Sequence, residues 1–292
     1  MTPLEPSRST PGAERRGSRT SSRRSPGSTP GAERRGPRTP SPRPSESLRG
    51  QVLLAALALV VVWGGLAWIV RRPILPSPIL VFEAFITGLA GDLGLHFLAS
   101  LWRVVASTAL SVALAVPAGL VLGQSERLNR IFSPVIYLLL PIPKVVLVPV
   151  VLLFLGVGDL PKIVIIFFIL FFQILVLVRD QAAGIRPELV HSVRSLGAGR
   201  RALFRFVYLP ASLPAILTAL RQSVGTAVAV LYVAELFATQ RGLGYYIFLA
   251  GSTLFDYPKM YAGVVAMSLL GLGLYFAVDA LHRRLCPWQF AG

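Results

Sequence analysis

Apolar residues in this chain gather into long unbroken runs, and the first of them begins at residue 51. A helix needs about 20 mostly apolar residues to cross about 30 Å of hydrocarbon. Six stretches approach or exceed that length: 51–70, 97–123, 133–156, 162–178, 211–235 and 261–281. The runs do not alternate, and backbone groups in hydrocarbon must pair within their own segment, so the pattern predicts helices and not a β-barrel. The predicted class is therefore all-α, a polytopic membrane protein with about six transmembrane helices inside residues 50–292. The third run carries Pro141, Pro143, Lys144 and Pro149, and the fourth is rich in phenylalanine. Arg103 and Arg221 fall near the starts of the second and fifth runs, where snorkelling accounts for them. Segment 77–91 is too short to span and predicts an amphipathic helix on the outer surface.

Composition removes the soluble alternatives. The chain has 292 residues, of which 54% are hydrophobic and 14% charged. A soluble domain of that size has no means of hiding so much apolar surface. The net charge of +16 would suggest nucleic acid on a soluble face, but eleven arginines and four glutamates lie in residues 1–49. That stretch has almost no large apolar side chains and repeats one twelve-residue pattern at 9–20 and 28–39, so it reads as a disordered basic cytoplasmic tail. No nucleic-acid partner is expected. Beyond the tail, segments 124–132, 179–210 and 282–292 hold ten arginines, against Arg71, Arg72, Lys162, Arg241 and Lys259 in the alternate segments. That bias predicts both termini on the cytoplasmic side. One cysteine, Cys286, allows no internal disulfide, and His96, His191 and His282 lack metal-ligand spacing, so no metal is expected.

The segment 179–210 is the most informative. Leu189, Val193 and Leu196 form one apolar stripe, Gly197 and Gly199 break it, and a second stretch sets Leu203, Phe204, Val207 and Tyr208 against Arg200, Arg201 and Arg205. This predicts two short amphipathic helices around a glycine turn. Such a pair either lies on lipid headgroups or docks in a groove of a cytoplasmic partner. The spacing resembles the signature of ABC-importer permeases, E-A-A, three residues, G, nine residues, I-x-L-P. Gly197 is the glycine and Val207-Tyr208-Leu209-Pro210 the closing tetrad, while His191-Ser192-Val193 stand in place of Glu-Ala-Ala. The run Arg194-Ser195-Leu196-Gly197-Ala198 is also similar to the family's.

Further text resembles the nitrate/sulfonate/taurine group within that family. It comprises Leu75-Pro76-Ser77-Pro78, Ser100-Leu101-Trp102-Arg103, Pro141-Ile142-Pro143, Phe154-Leu155-Gly156-Val157-Gly158, Ala234-Glu235-Leu236 and Gly242-Leu243-Gly244-Tyr245. The resemblance implies a type I ABC importer permease fold with its core at about 94–282 and a coupling loop at 179–210. In that loop Leu189, His191, Val193, Arg194, Ser195, Leu196, Gly197, Ala198, Val207, Leu209 and Pro210 would meet the ATPase. It also implies a non-catalytic subunit of the cell (inner) membrane that binds no cofactor itself. Its partners would be a second copy of the permease, two ATPase subunits carrying ATP and Mg, and an extracytoplasmic solute-binding protein. The solute would be small and anionic, in the manner of taurine, another sulfonate or nitrate. The chain contains no G-x-x-x-x-G-K-[ST] loop, which agrees with that division of labour.

Polar groups at membrane depth are costly and so point to a pathway or to pairing. Lys144 is the first candidate for the substrate path, since a cation beside two prolines suits an anion; it also reads as a snorkelling or paired lysine. Glu235 either gates the path or pairs with Arg241. Gln173 and Tyr232 are further candidates. A secondary transporter would show an internal repeat, and an intramembrane protease a histidine deep in a helix; the sequence offers neither.

Overall fold

A computed structural model describes residues 46–237 and 239–289 of the chain. The basic repeats and the tail reading for residues 1–45 lie outside the described residues. The first helix begins at Glu46, inside the stretch assigned to the tail.

Eleven α-helices follow in order, and no strand occurs among the described residues. They are α1 Glu46–Val70, α2 Pro78–Leu89, α3 Asp92–Gln124, α4 Glu126–Leu139, α5 Val148–Leu155, α6 Asp159–Ala183, α7 Pro187–Ser195, α8 Arg200–Leu203, α9 Leu209–Glu235, α10 Leu243–Phe248 and α11 Tyr257–Leu285. By length and composition α3, α6, α11 and the run Arg200–Glu235 that contains α9 can each cross a membrane. The pair α4–α5 makes a fifth span only as a broken one, bent by 76°. The third apolar run, 133–156, is thus a broken span and not one continuous helix. Pro141 and Pro143 sit at the break and lack the N–H a continuous helix needs. α1 contributes a shorter described apolar stretch, Leu54–Val70.

The spine of the bundle is α3 packed on α6. Without a hydrophobic force between helices in lipid, close approach depends on small residues at the contact. α3 supplies them every fourth residue as Ser107, Ser111, Ala115, Gly119 and Gly123. A Cβ on Gly119 would lie 2.8 Å from the Val178 Cβ, and one on Gly123 would lie 2.6 Å from the Ala182 Cβ. Ser111 Oγ also reaches the Phe167 carbonyl at 3.2 Å. α6 then packs on α9 and α9 on α11, with Leu170, Ile174, Leu231 and Ala266 in the shared core. α2 covers part of α11, with Val81 buried and Phe85 packed on the core, while Ile79, Leu80, Phe82, Ile86 and Leu89 stay exposed. It is therefore apolar nearly all round, not the amphipathic surface helix expected from 77–91.

The spans place residues at two ends. Gln124, Ala183, Leu209 and Leu285 lie at the end of the arginine-rich coupling segment. Asp92, Asp159, Glu235 and Tyr257 lie at the opposite end.

Candidate functional site

Segment 179–210 folds into the expected helix pair, with one difference. Pro187 starts α7, where its missing N–H costs nothing. The Ser192 and Ser195 hydroxyls donate back to the Glu188 and Ser192 carbonyls, both at 2.8 Å. The turn after α7 closes through Gly197 N–H to the Arg194 carbonyl at 3.0 Å, and Gly197 adopts φ +83°, a conformation that L side chains rarely take. The second helix does not end at Leu209-Pro210. α8 runs through a π-turn, Phe204–Tyr208, directly into α9, so Arg200–Glu235 is one helical run of 36 residues. Pro210 reads as a stop, but it follows directly on the π-turn, and the helix runs on through it and through Pro214.

The predicted docking residues divide by exposure. Leu196 is 85% and Leu189 52% exposed, while His191, Arg194 and Ser195 are exposed beside them. Val193 and Ala198 are half-buried. Val207 is buried and Leu209 half-buried, so these two hold the segment to the bundle, and Pro210 is exposed. A cleft of about 600 Å³ separates this segment from Gln124, Ser125 and Leu128, with Arg194, Arg200 and Arg201 on its wall. Leu189 and Leu196 thus stay exposed on a segment whose Arg186, Arg194, Arg200, Arg201 and Arg205 are exposed as well.

At the opposite end lies a cluster that the sequence reading missed. Arg103 is buried, 3% exposed, eleven residues into α3 and not at its end, so snorkelling does not account for it. Its Nη1 donates to Glu235 Oε1 at 2.6 Å and to the Arg241 carbonyl at 2.7 Å. Its Nε and Nη2 donate to Asp159 Oδ1 at 2.8 and 2.6 Å. Glu235 is fully buried, and its partner is Arg103; Arg241 contributes its backbone carbonyl to the cluster. Arg221 is likewise paired, through Nη1 to Asp279 Oδ1 at 2.7 Å. Lys162, assigned to an outer loop by sequence, is 1% exposed and donates to the Gly158 carbonyl at 2.8 Å.

The same side chains capture the start of α10. Gly242 N–H donates to His96 Nδ1, Leu243 N–H to Ser100 Oγ, and Gly244 N–H to Glu235 Oε2, at 2.9, 2.8 and 2.9 Å. Ser100 Oγ lies 2.8 and 2.9 Å from the two Glu235 oxygens and donates to that carboxylate. The first N–H groups of a helix have no partner within it, so three side chains from α3 and α9 satisfy what α10 leaves open. Gly242 has φ +129°, and a Cβ there would overlap the Glu235 carboxylate and come within 2.6 Å of Arg103 Nη1. The legible signal was the pairing of one arginine and one glutamate, each inside an apolar run, which hydrocarbon tolerates only when they meet.

The four substrate-path candidates occupy two places. Lys144 sits half-buried in the break between α4 and α5. Its Nζ donates to the Leu139 and Leu140 carbonyls at 2.9 and 3.2 Å, and it lies 5.1 Å from the Phe172 ring centre on α6. It therefore satisfies carbonyls left open where α4 ends. Gln173, next to Phe172 in sequence, is half-buried. Glu235 belongs to the charged cluster, with Tyr232 half-buried one turn earlier. Helix rise puts Phe172 and Asp159 about 20 Å apart along α6. Among the described residues no group of three or more His, Cys, Asp or Glu could hold a metal ion.

Residues 115–287 match the family model described as the binding-protein-dependent transport system inner membrane component. The chain is 31% identical over 240 residues to the taurine transport system permease protein TauC of Escherichia coli (strain K12), covering 79% of this chain and 86% of that one. It is 30% identical over 234 residues to the formylaminopyrimidine transport permease protein ThiX of Halalkalibacterium halodurans, covering 80% and 93%. Its fold matches a chain of the MetNI methionine ABC transporter, solved in inward-facing conformations, with a TM-score of 0.57 and 21% identity over 64% of this chain and 93% of that one.

Proposed function

Because this chain belongs to the family of inner-membrane components of binding-protein-dependent transport systems, we propose that it forms the translocation pathway of an ATP-driven importer for a small anionic solute. Permeases of this family work with an ATPase and a solute-binding protein. On this reading the ATPase carries ATP and Mg, and this chain performs no chemistry. Two copies face one another in the membrane with both termini cytoplasmic, as the arginine bias favours.

The observation that carries the reading is the exposure of Leu189 and Leu196 beside Gly197. Large exposed leucines at the arginine-rich end need a protein groove to cover them. The adjoining helix continues unbroken into the bundle, so a movement of the docked segment reaches α9 as rigid-body motion. The taurine permease among the relatives supports a sulfonate as the solute class. Lys144 supports an anion at the break in the fourth and fifth helices, although its carbonyl contacts also give it a capping role.

Uptake of radiolabelled taurine into cells that carry the complete transporter tests the reading. Gly197→Val forces a β-branched residue into a left-handed conformation, whereas asparagine adopts that region readily. Gly197→Val abolishes uptake with normal membrane insertion, and Gly197→Asn keeps most of it. Equal uptake by both variants would refute docking through this turn.

A further inference from the structure

α6 and α9 run antiparallel, and near the coupling segment they part around a cavity of about 470 Å³. Gln181 of α6 and Thr218 and Gln222 of α9 line it, together with the small Ala211 and Ala215. Gln289 of the C-terminal turn borders one side. None of the described residues on its wall is charged. Two other cavities of similar size, between α3, α9 and α11 and between α1, α2 and α11, have almost wholly apolar walls. Such walls suit lipid tails.

Amide groups do not suit lipid, because an unpaired amide in hydrocarbon loses its hydrogen bonds to water. Gln181 and Gln222 are both exposed, and neither amide has a hydrogen-bond partner among the described residues. Thr218 Oγ1 donates to the Pro214 carbonyl at 2.9 Å and keeps its lone pairs for the cavity. The exposed stripe of α9 continues through Gly225, where a Cβ would meet nothing within 4 Å. Gln181 lies two residues before the end of α6 and Gln222 about 20 Å along α9 from Leu209, so open polar groups run from the arginine-rich end into the bundle and mark water.

We infer, resting on the importer reading above, that this cleft is the inner part of the solute route, and that the Gln181 and Gln222 amides donate hydrogen bonds to a small oxyanion leaving the membrane. Neutral donors suit an exit. They replace part of the anion's hydration without the strong hold of an arginine or lysine. The buried basic side chains Arg103, Lys162 and Arg179 are engaged elsewhere, and Arg221 beside Gln222 is paired with Asp279.

Cysteine accessibility tests the assignment in the complete transporter, in inside-out membrane vesicles. The background is Cys286→Ala, which removes the one native thiol. Thr218→Cys and Gln222→Cys are compared with Leu272→Cys, which lies 51% exposed on α11. The probe is a water-soluble methanethiosulfonate that carries a sulfonate group, itself a small anion. Because the thiolate is the reacting form and exists only in water, the two cleft positions react about tenfold faster than position 272. Millimolar taurine slows them. Reaction at position 222 no faster than at 272, with both labelled by a lipid-soluble maleimide, would show a lipid-filled groove and overturn the inference. Should Gln222→Cys fail to accumulate, Gln181→Cys on the facing helix gives the same comparison. ATPase recovery is scored in the same vesicles. The cysteine rates decide the cleft and the recovery decides the importer reading, so the two fail separately.

Discussion

Arg103 and Glu235 set the cost of errors at the scale of single residues. Each is an ion inside a bundle, and each is matched by the other. Removing one partner of a buried pair leaves the other charge unpaired, which costs about 3–5 kcal/mol, whereas replacing both with apolar residues is often near neutral. Arg103→Leu is therefore expected to lower the thermal midpoint of the purified protein sharply. Adding Glu235→Leu should restore part of the loss, although Gly244 N–H then has no acceptor and Asp159 stays unpaired. Additive losses in the double variant would show that the two ions do not act as a pair. These residues were visible in the sequence as charges inside apolar runs, but their partnership was not. Glu235 and Arg241 are six residues apart and invite pairing, while Arg103 is 132 residues away and meets Glu235 only through the packing of α3 and α9. Sequence distance favoured the wrong partner.

At the scale of elements, the small-residue stripe of α3 decides how the spine closes. Leucine at position 123 would drive its side chain into the Arg179 carbonyl and Ala182, and overpacking of this kind costs about 1–3 kcal/mol. Gly123→Leu should reduce the yield of folded protein extracted in mild detergent. Gly65→Leu, where a Cβ meets nothing within 4 Å, should not. Equal yields would place the α3–α6 contact elsewhere. The four-residue spacing from Ser107 to Gly123 was readable in advance as a packing face. Two other elements were not. The bend between α4 and α5 follows from prolines whose presence was plain, but a run of apolar residues carries no information about the direction a chain takes after a break. The continuous helix Arg200–Glu235 was hidden because Gly199 and Pro210 look like stops, while Gly199 stands at the start of the run and Pro210 follows the π-turn inside it.

Taken as a whole, the molecule links its two ends through that one helix. Its base holds the coupling turn, and its tip holds Glu235, which fixes the start of α10 by a backbone hydrogen bond. A run of 36 residues spans about 54 Å at helical rise. On the proposed reading, force applied at segment 187–199 reaches the charged cluster along one helical run, through the π-turn Phe204–Tyr208. Two glycines inserted between Tyr208 and Leu209 would supply a hinge. That variant should still recover the ATPase from detergent extracts but lose taurine uptake by about tenfold, since coupling of this type rests on rigid-body motion. Unchanged uptake would mean that the helix is not the transmitting part.

The central claim is that the exposed turn around Leu196 is where an ATPase docks. The most direct measurement places a photo-crosslinking amino acid at position 196 in the native membrane and identifies its adducts by mass spectrometry, with position 272 on α11 as the comparison. An adduct is expected at 196 with a protein that carries a nucleotide-binding P-loop, and none of that protein at 272. Lipid adducts alone at 196, or the same ATPase captured equally from 272, would contradict it.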